Sequence, residues 1–113
     1  MRQSDASLAR YISEKRVLMH SLVIGEIAMG ALAQRDVTLE ALQQLPHTIT
    51  AYDEEVLRFV ADHKLWGAGI GYADAHLLVS VQLTAHCTLW TRDKRLRVVA
   101  EKLSLAWPEP KPQ

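Results

Sequence analysis

Residues 71–107, GYADAHLLVSVQLTAHCTLWTRDKRLRVVAEKLSLAW, decide the fold. The segment opens on a helix from Tyr72 to Ala85 that is apolar almost all round, through Ala75, Leu77, Leu78, Val79, Val81 and Leu83, as a buried helix is. Cys87 to Thr91 then reads as a short strand. Leu96, Val99, Ala100 and Leu103 return at amphipathic helical spacing. Leu105-Ala-Trp107 reads as an edge strand stopped by Pro108. Helix and strand in alternation predict an α/β fold with a parallel sheet.

The same alternation extends toward the amino end. Leu8, Tyr11 and Ile12 keep helical spacing behind a capping Ser7, and Arg16 to His20 reads as a strand through Val17, Leu18 and Met19. A helix is expected from Leu22 to Ala33, whose Gly25 and Gly30 favour close packing over intrinsic stability. Another runs from Thr38 to Leu45, ended by Pro46, and His47 to Ala51 forms a short strand. Asp53 is placed to cap the next helix, with Glu54 and Glu55 suited to its dipole and Val56, Leu57, Val60 and Ala61 as its buried stripe. Trp66 to Gly71 is a glycine-rich loop, but no lysine and hydroxyl residue follow at the offset that a phosphate cradle requires. We expect a single domain over 1–107 and an extended proline-rich tail over 108–113.

A chain of 113 residues, 49% hydrophobic and 23% charged, supports one modest globular core. Thirteen basic residues against 13 acidic ones leave no net charge, so contact with nucleic acid would need a local basic patch. The single cysteine, Cys87, excludes an intrachain disulfide and fits a reducing compartment. The amino end lacks the apolar core of a signal peptide, and the longest apolar run, Val17 to Ala33, is broken by His20 and Glu26. The expectation is a soluble cytoplasmic protein with no membrane partner.

Three acids, Glu26, Asp74 and Asp93, stand near expected junctions of strand and helix. Such junctions gather along one edge of a doubly wound sheet, where ligands bind. Carboxylates gathered there repel one another unless a cation intervenes, and all-oxygen ligands suit Mg²⁺ or Mn²⁺. That chemistry serves phosphodiester cleavage. Each acid also has a plain structural role open to it: Asp93 as a helix cap, Asp74 in a first turn, Glu26 on the surface. Thr91, two residues before Asp93, is placed to orient a metal-bound water or simply to fill a strand. Arg92, Lys94 and Arg95, with Arg97, form the densest basic cluster; it is a solvated helix face or a hold for an RNA backbone. The five histidines show no zinc-ligand spacing, and His76 reads as a hydrogen-bonding or packing residue. No Ser-His-Asp or Cys-His nucleophile is apparent.

The stretch from Gly71 to Trp107 resembles the carboxyl half of a PIN domain, specifically the VapC toxins of bacterial toxin–antitoxin pairs. RVLMHSLVIGEIAMGAL, from Arg16 to Leu32, is similar to that family's second strand and following helix. The D-A-H-L-L and T-R-D-K-R-L segments, in that order, carry the resemblance, which covers Leu8 to Trp107. It implies a PIN-like three-layer α/β/α fold. It also places Glu26, Asp74 and Asp93 on acidic metal positions and Thr91 on a hydroxyl position. The implied activity is that of a Mg²⁺- or Mn²⁺-dependent endoribonuclease, a homodimer restrained by a cognate antitoxin protein.

The family opens on an apolar strand ending in aspartate, whereas this chain opens MRQSDASLARY. Asp5-Ala6-Ser7 matches that motif by letter, but no apolar strand precedes it, and it reads as a decoy. The expectation is therefore a chain lacking the first strand and its aspartate, most simply through a start assigned too late. The alternative is an impaired remnant that serves only to bind antitoxin or a second copy. A response-regulator-like phosphate domain is a further rival, but no lysine closes a later strand as such a domain needs.

Overall fold

A computed structural model describes residues 18–107. The expected first helix, the Asp5 motif and the proline-rich tail lie outside the described residues, as does the start of the Arg16–His20 strand. The described chain is helix-rich, with helices α1 (Ser21–Ala28), α2 (Arg35–Gln43), α3 (Asp53–Asp62), α4 (Tyr72–Leu83) and α5 (Lys94–Lys102). Contacts group it into two compact units divided after Thr48.

In the amino-terminal unit, α1 and α2 pack together. His20 caps α1, its Nδ1 accepting a hydrogen bond from the Leu22 amide at 3.0 Å. The α1 helix is shorter than expected, ending at Ala28 rather than Ala33. Arg35 fixes the return, donating to the Ala28 carbonyl at 2.6 Å, and α2 starts three residues before Thr38. The expected strands reduce here to one parallel bridge between Met19 and His47. Its rungs run from the Met19 amide to the Pro46 carbonyl (2.7 Å) and from the Thr48 amide to the Met19 carbonyl (3.0 Å).

The second unit is built on α4. Leu78 is fully buried, as is Val56 of α3, and Ala100 of α5 joins them in one cluster with Phe59, Leu65, Val79, Leu96 and Val99. The helical spacing at Leu96, Val99 and Ala100 is therefore a core face, with Leu103 packed at its margin. The stripe on α3 differs from expectation: it is Val56, Phe59 and Val60, whereas Leu57 is 61% exposed and Ala61 faces solvent. Residues at i, i+3 and i+4 share a helix face, and Phe59 rather than Leu57 continues the one begun by Val56. The cap of α3 is also one residue earlier, at Tyr52, whose amide donates to Glu55 Oε1 at 2.9 Å. Helix α4 ends at Leu83, and Leu83 itself is exposed.

The His47–Ala51 segment does not form a strand, for a definite reason. Its amides are taken by hydroxyls: Ile49 donates to Thr84 Oγ1 at 3.0 Å and Ala51 to Ser80 Oγ at 3.3 Å. The buried Ala51 amide must find a partner, and these hydroxyls take the bonds a strand would offer a neighbour. The Cys87–Thr91 and Leu105–Trp107 segments meet in one parallel bridge, Leu89 with Ala106. Its bonds are Leu89 amide to Leu105 carbonyl (2.7 Å) and Trp107 amide to Leu89 carbonyl (2.8 Å). Both bridges run parallel, as expected, but among the described residues neither extends into a strand.

Candidate active site

The amino ends of α4 and α5 each hold one of the expected acids. Asp74, in the first turn of α4, accepts from the amide of the capping Gly71 through Oδ2 at 3.2 Å. Asp93 caps α5, its Oδ1 accepting from the Leu96 amide at 3.0 Å. Thr91 supports that cap, its hydroxyl oxygen accepting from the Asp93 amide at 3.1 Å. Each carboxylate thus uses one oxygen to satisfy an otherwise orphaned helix amide. Its second oxygen receives no protein hydrogen bond among the described residues.

These two helix ends are neighbours. A Cβ placed on Gly69 would lie only 2.7 Å from Arg95 Cδ, so the Arg95 side chain lies directly against the loop that feeds α4. Arg95 is two residues from Asp93, and Gly69 is two residues from the α4 cap. The positive φ of Gly67 (+77°) and Gly69 (+83°) permits the loop's course, and only glycine adopts it freely. Asp74 and Asp93 thus stand at the two helix starts that this contact links, where helix dipoles favour anionic groups. Glu26 is exposed in the second turn of α1, in the other unit, rather than at a helix start. Among the described residues no three His, Cys, Asp or Glu side chains are gathered to hold a metal ion. The Asp74 and Asp93 oxygens are nonetheless the hard donors that Mg²⁺ and Mn²⁺ accept.

The basic cluster beside Asp93 divides its work. Arg92 lies over the Trp90 ring at 5.4 Å, and Arg97 pairs with Glu101 at 3.6 Å. Lys94 and Arg95 instead line a groove with Ala68, Val98, Val99 and Lys102. No carboxylate lines it.

His76 has the hydrogen-bonding role read from the sequence, with partners the sequence did not name. Tyr72 donates to Asp53 Oδ1 at 2.7 Å, and His76 Nε2 lies 3.2 Å from the same oxygen. The Tyr72 and His76 rings meet edge to face, 5.5 Å between centroids. The hydrogen bonds from Tyr72 and then His76 hold the Asp53 carboxyl below its ordinary range, and the Asp53 bond raises the Tyr72 phenol. This network ties α3 to α4. Its sequence signal was the i,i+4 pair of Tyr72 and His76 opposite an acid at a helix start. Burial raises the Cys87 thiol, which disfavours its thiolate.

The chain belongs to the VapC ribonuclease family. It is 41% identical over 109 residues to Ribonuclease VapC32 of Mycobacterium tuberculosis, in each of two strains, spanning 96% of this chain and 88% of the relative. No protein-family model matches the chain, and no solved structure matches it significantly. Among the described residues, no helix is long and apolar enough to cross a membrane.

Proposed function

We propose that this chain is the endoribonuclease toxin of a toxin–antitoxin pair and hydrolyses RNA phosphodiester bonds at the edge bordered by Asp74 and Asp93. The carrying observation is its 41% identity to a ribonuclease across nearly its whole length. In support, the two acids stand at neighbouring helix ends beside an unopposed basic groove. Asp74 and Asp93 would supply oxygen ligands for Mg²⁺ or Mn²⁺. A bound ion would supply water activation and charge neutralisation at the phosphate. Thr91 holds the Asp93 backbone through its hydroxyl, fixing the residue that would carry the ligand. Arg92, Lys94 and Arg95 attract and align the RNA backbone.

We further read the chain as a cytoplasmic PIN-like α/β/α domain over 1–107 with its tail at 108–113. It acts as a homodimer restrained by its cognate antitoxin protein. The two parallel bridges favour such a sheet over an all-helical bundle. The test is incubation of the purified chain with single-stranded RNA at graded Mg²⁺ and Mn²⁺. Cleavage that rises with metal and stops with EDTA is expected. Metal-independent cleavage, or none in either ion, would refute the proposal; none together with tight antitoxin binding would favour the remnant.

A further inference from the structure

Trp66 is 66% exposed, yet it sits on a firmly held loop. Leu65, Ala68 and Ile70 turn inward onto the core. The Leu65 amide bonds the Val60 carbonyl at 3.0 Å, and the Ala68 amide bonds the Leu65 carbonyl at 3.1 Å. With its neighbours pinned, the Trp66 backbone has little freedom, and its indole is presented to solvent. An isolated exposed aromatic needs no explanation. This one is different in its surroundings. Two residues on, Ala68 forms a wall of the groove whose other wall carries Lys94, Arg95 and Lys102. Six residues on from Trp66, α4 begins, with Asp74 in its first turn.

A polyanion suits the charge of that groove, and an aromatic face beside it suits an unpaired base. Double-stranded nucleic acid hides its base faces, whereas a single strand offers them for stacking. We propose that Trp66 is a base-stacking residue: one nucleotide of a single-stranded RNA stacks on its indole while adjacent phosphates lie along Lys94, Arg95 and Lys102. The loop then sets which nucleotide register reaches the acidic edge, so Trp66 governs substrate selection. This rests on the ribonuclease function proposed above and adds Trp66 and Lys102 to its RNA contacts.

The experiment measures binding of a fluorescein-labelled single-stranded RNA of about ten nucleotides, a length suited to one such groove. It uses the full chain carrying Asp74→Asn, so that RNA survives the titration. Trp66→Ala should weaken binding about five- to hundredfold, the range expected for loss of one base–aromatic stack. Trp66→Phe should recover most of it, and Trp66→Leu should not. Lys102→Gln should instead reduce the slope of log affinity against log salt by about 0.7, the value for one phosphate on a single strand. Trp66→Ala should leave that slope unchanged. In the chain with Asp74 intact, Trp66→Ala should alter which positions of a longer RNA are cut.

Equal RNA affinity and an equal cleavage pattern in Trp66→Ala, with the parent chain cleaving normally, would overturn the stacking role alone. So would Trp66→Phe failing as badly as alanine while both variants melt like the parent. Lost antitoxin binding with intact RNA binding would assign the loop to protein and also overturn it. A parent chain that neither binds nor cleaves RNA would refute both proposals.

Discussion

Asp93 performs a structural task in plain view, and substitution can separate it from a catalytic one. Its Oδ1 caps α5 through the Leu96 amide at 3.0 Å. Replacing a capping Asp with Ala costs about 1 kcal/mol, and loss of its charge near the helix dipole adds roughly 0.3–1 kcal/mol. Asn caps as well as Asp, so Asp93→Asn should forfeit only the smaller dipole part. At about 4 °C per kcal/mol for a chain of this size, Asp93→Ala should melt roughly 5–8 °C lower and Asp93→Asn only about 1–4 °C lower. Activity should order differently. Both variants lose the anionic ligand, so both should cleave RNA about 100- to 10,000-fold more slowly at a temperature where both are folded. Thermal melting followed by circular dichroism, paired with initial cleavage rates in Mn²⁺, makes the comparison. If Asp93→Asn keeps parental activity, Asp93 is a cap and nothing more. If the two variants melt alike, the cap has been misjudged.

Leu78→Ala should be the most damaging single truncation tested by urea unfolding. Leu78 is wholly buried beside Val56 and Ala100, and such a cavity costs about 2–5 kcal/mol. Tyr72→Phe should change stability in two pH windows. The lowered Asp53 pKa contributes stability above its unfolded value of 3.8 that is lost as pH falls through the folded value. The raised Tyr72 pKa contributes stability below 10.0 that is lost as pH rises through its folded value. Without the phenol, the alkaline loss should vanish and the acid loss should shrink, both read from melting curves across pH. Met29→Glu should shift any dimer toward monomer in sedimentation, since Met29 is 86% exposed and Val37 67% exposed, leaving apolar surface in this unit for a second copy. Unchanged sedimentation would place the interface elsewhere.

What the sequence made legible follows from how local each signal is. The α4 and α5 helices were readable because apolar spacing and the Asp93 cap are encoded within one or two turns. The α3 stripe was misplaced because Leu57 and Phe59 are equally apolar, and only the partner surface of α4 selects Phe59. The His47–Ala51 strand was expected, yet Ser80 and Thr84, 29 and 35 residues from the amides they bond, claim them. Nothing local announces such a long-range competition. Asp74 and Asp93 could be placed at helix starts because acids before helices are conspicuous in a sequence. That Arg95 rests against Gly69, and so joins their two helix ends, was invisible without coordinates. The Asp53–Tyr72–His76 network was missed for the same reason, its members being 23 residues apart at their widest.

The central claim is that an acidic edge of this VapC-family chain cleaves RNA, and Asp74→Asn tests it most directly. Asparagine keeps an oxygen to accept the Gly71 amide, so the end of α4 should survive and the melting temperature should fall by no more than about 3 °C. Mn²⁺-dependent cleavage of single-stranded RNA should drop at least about 100-fold relative to the parent chain. Full cleavage by a well-folded Asp74→Asn chain would contradict the account.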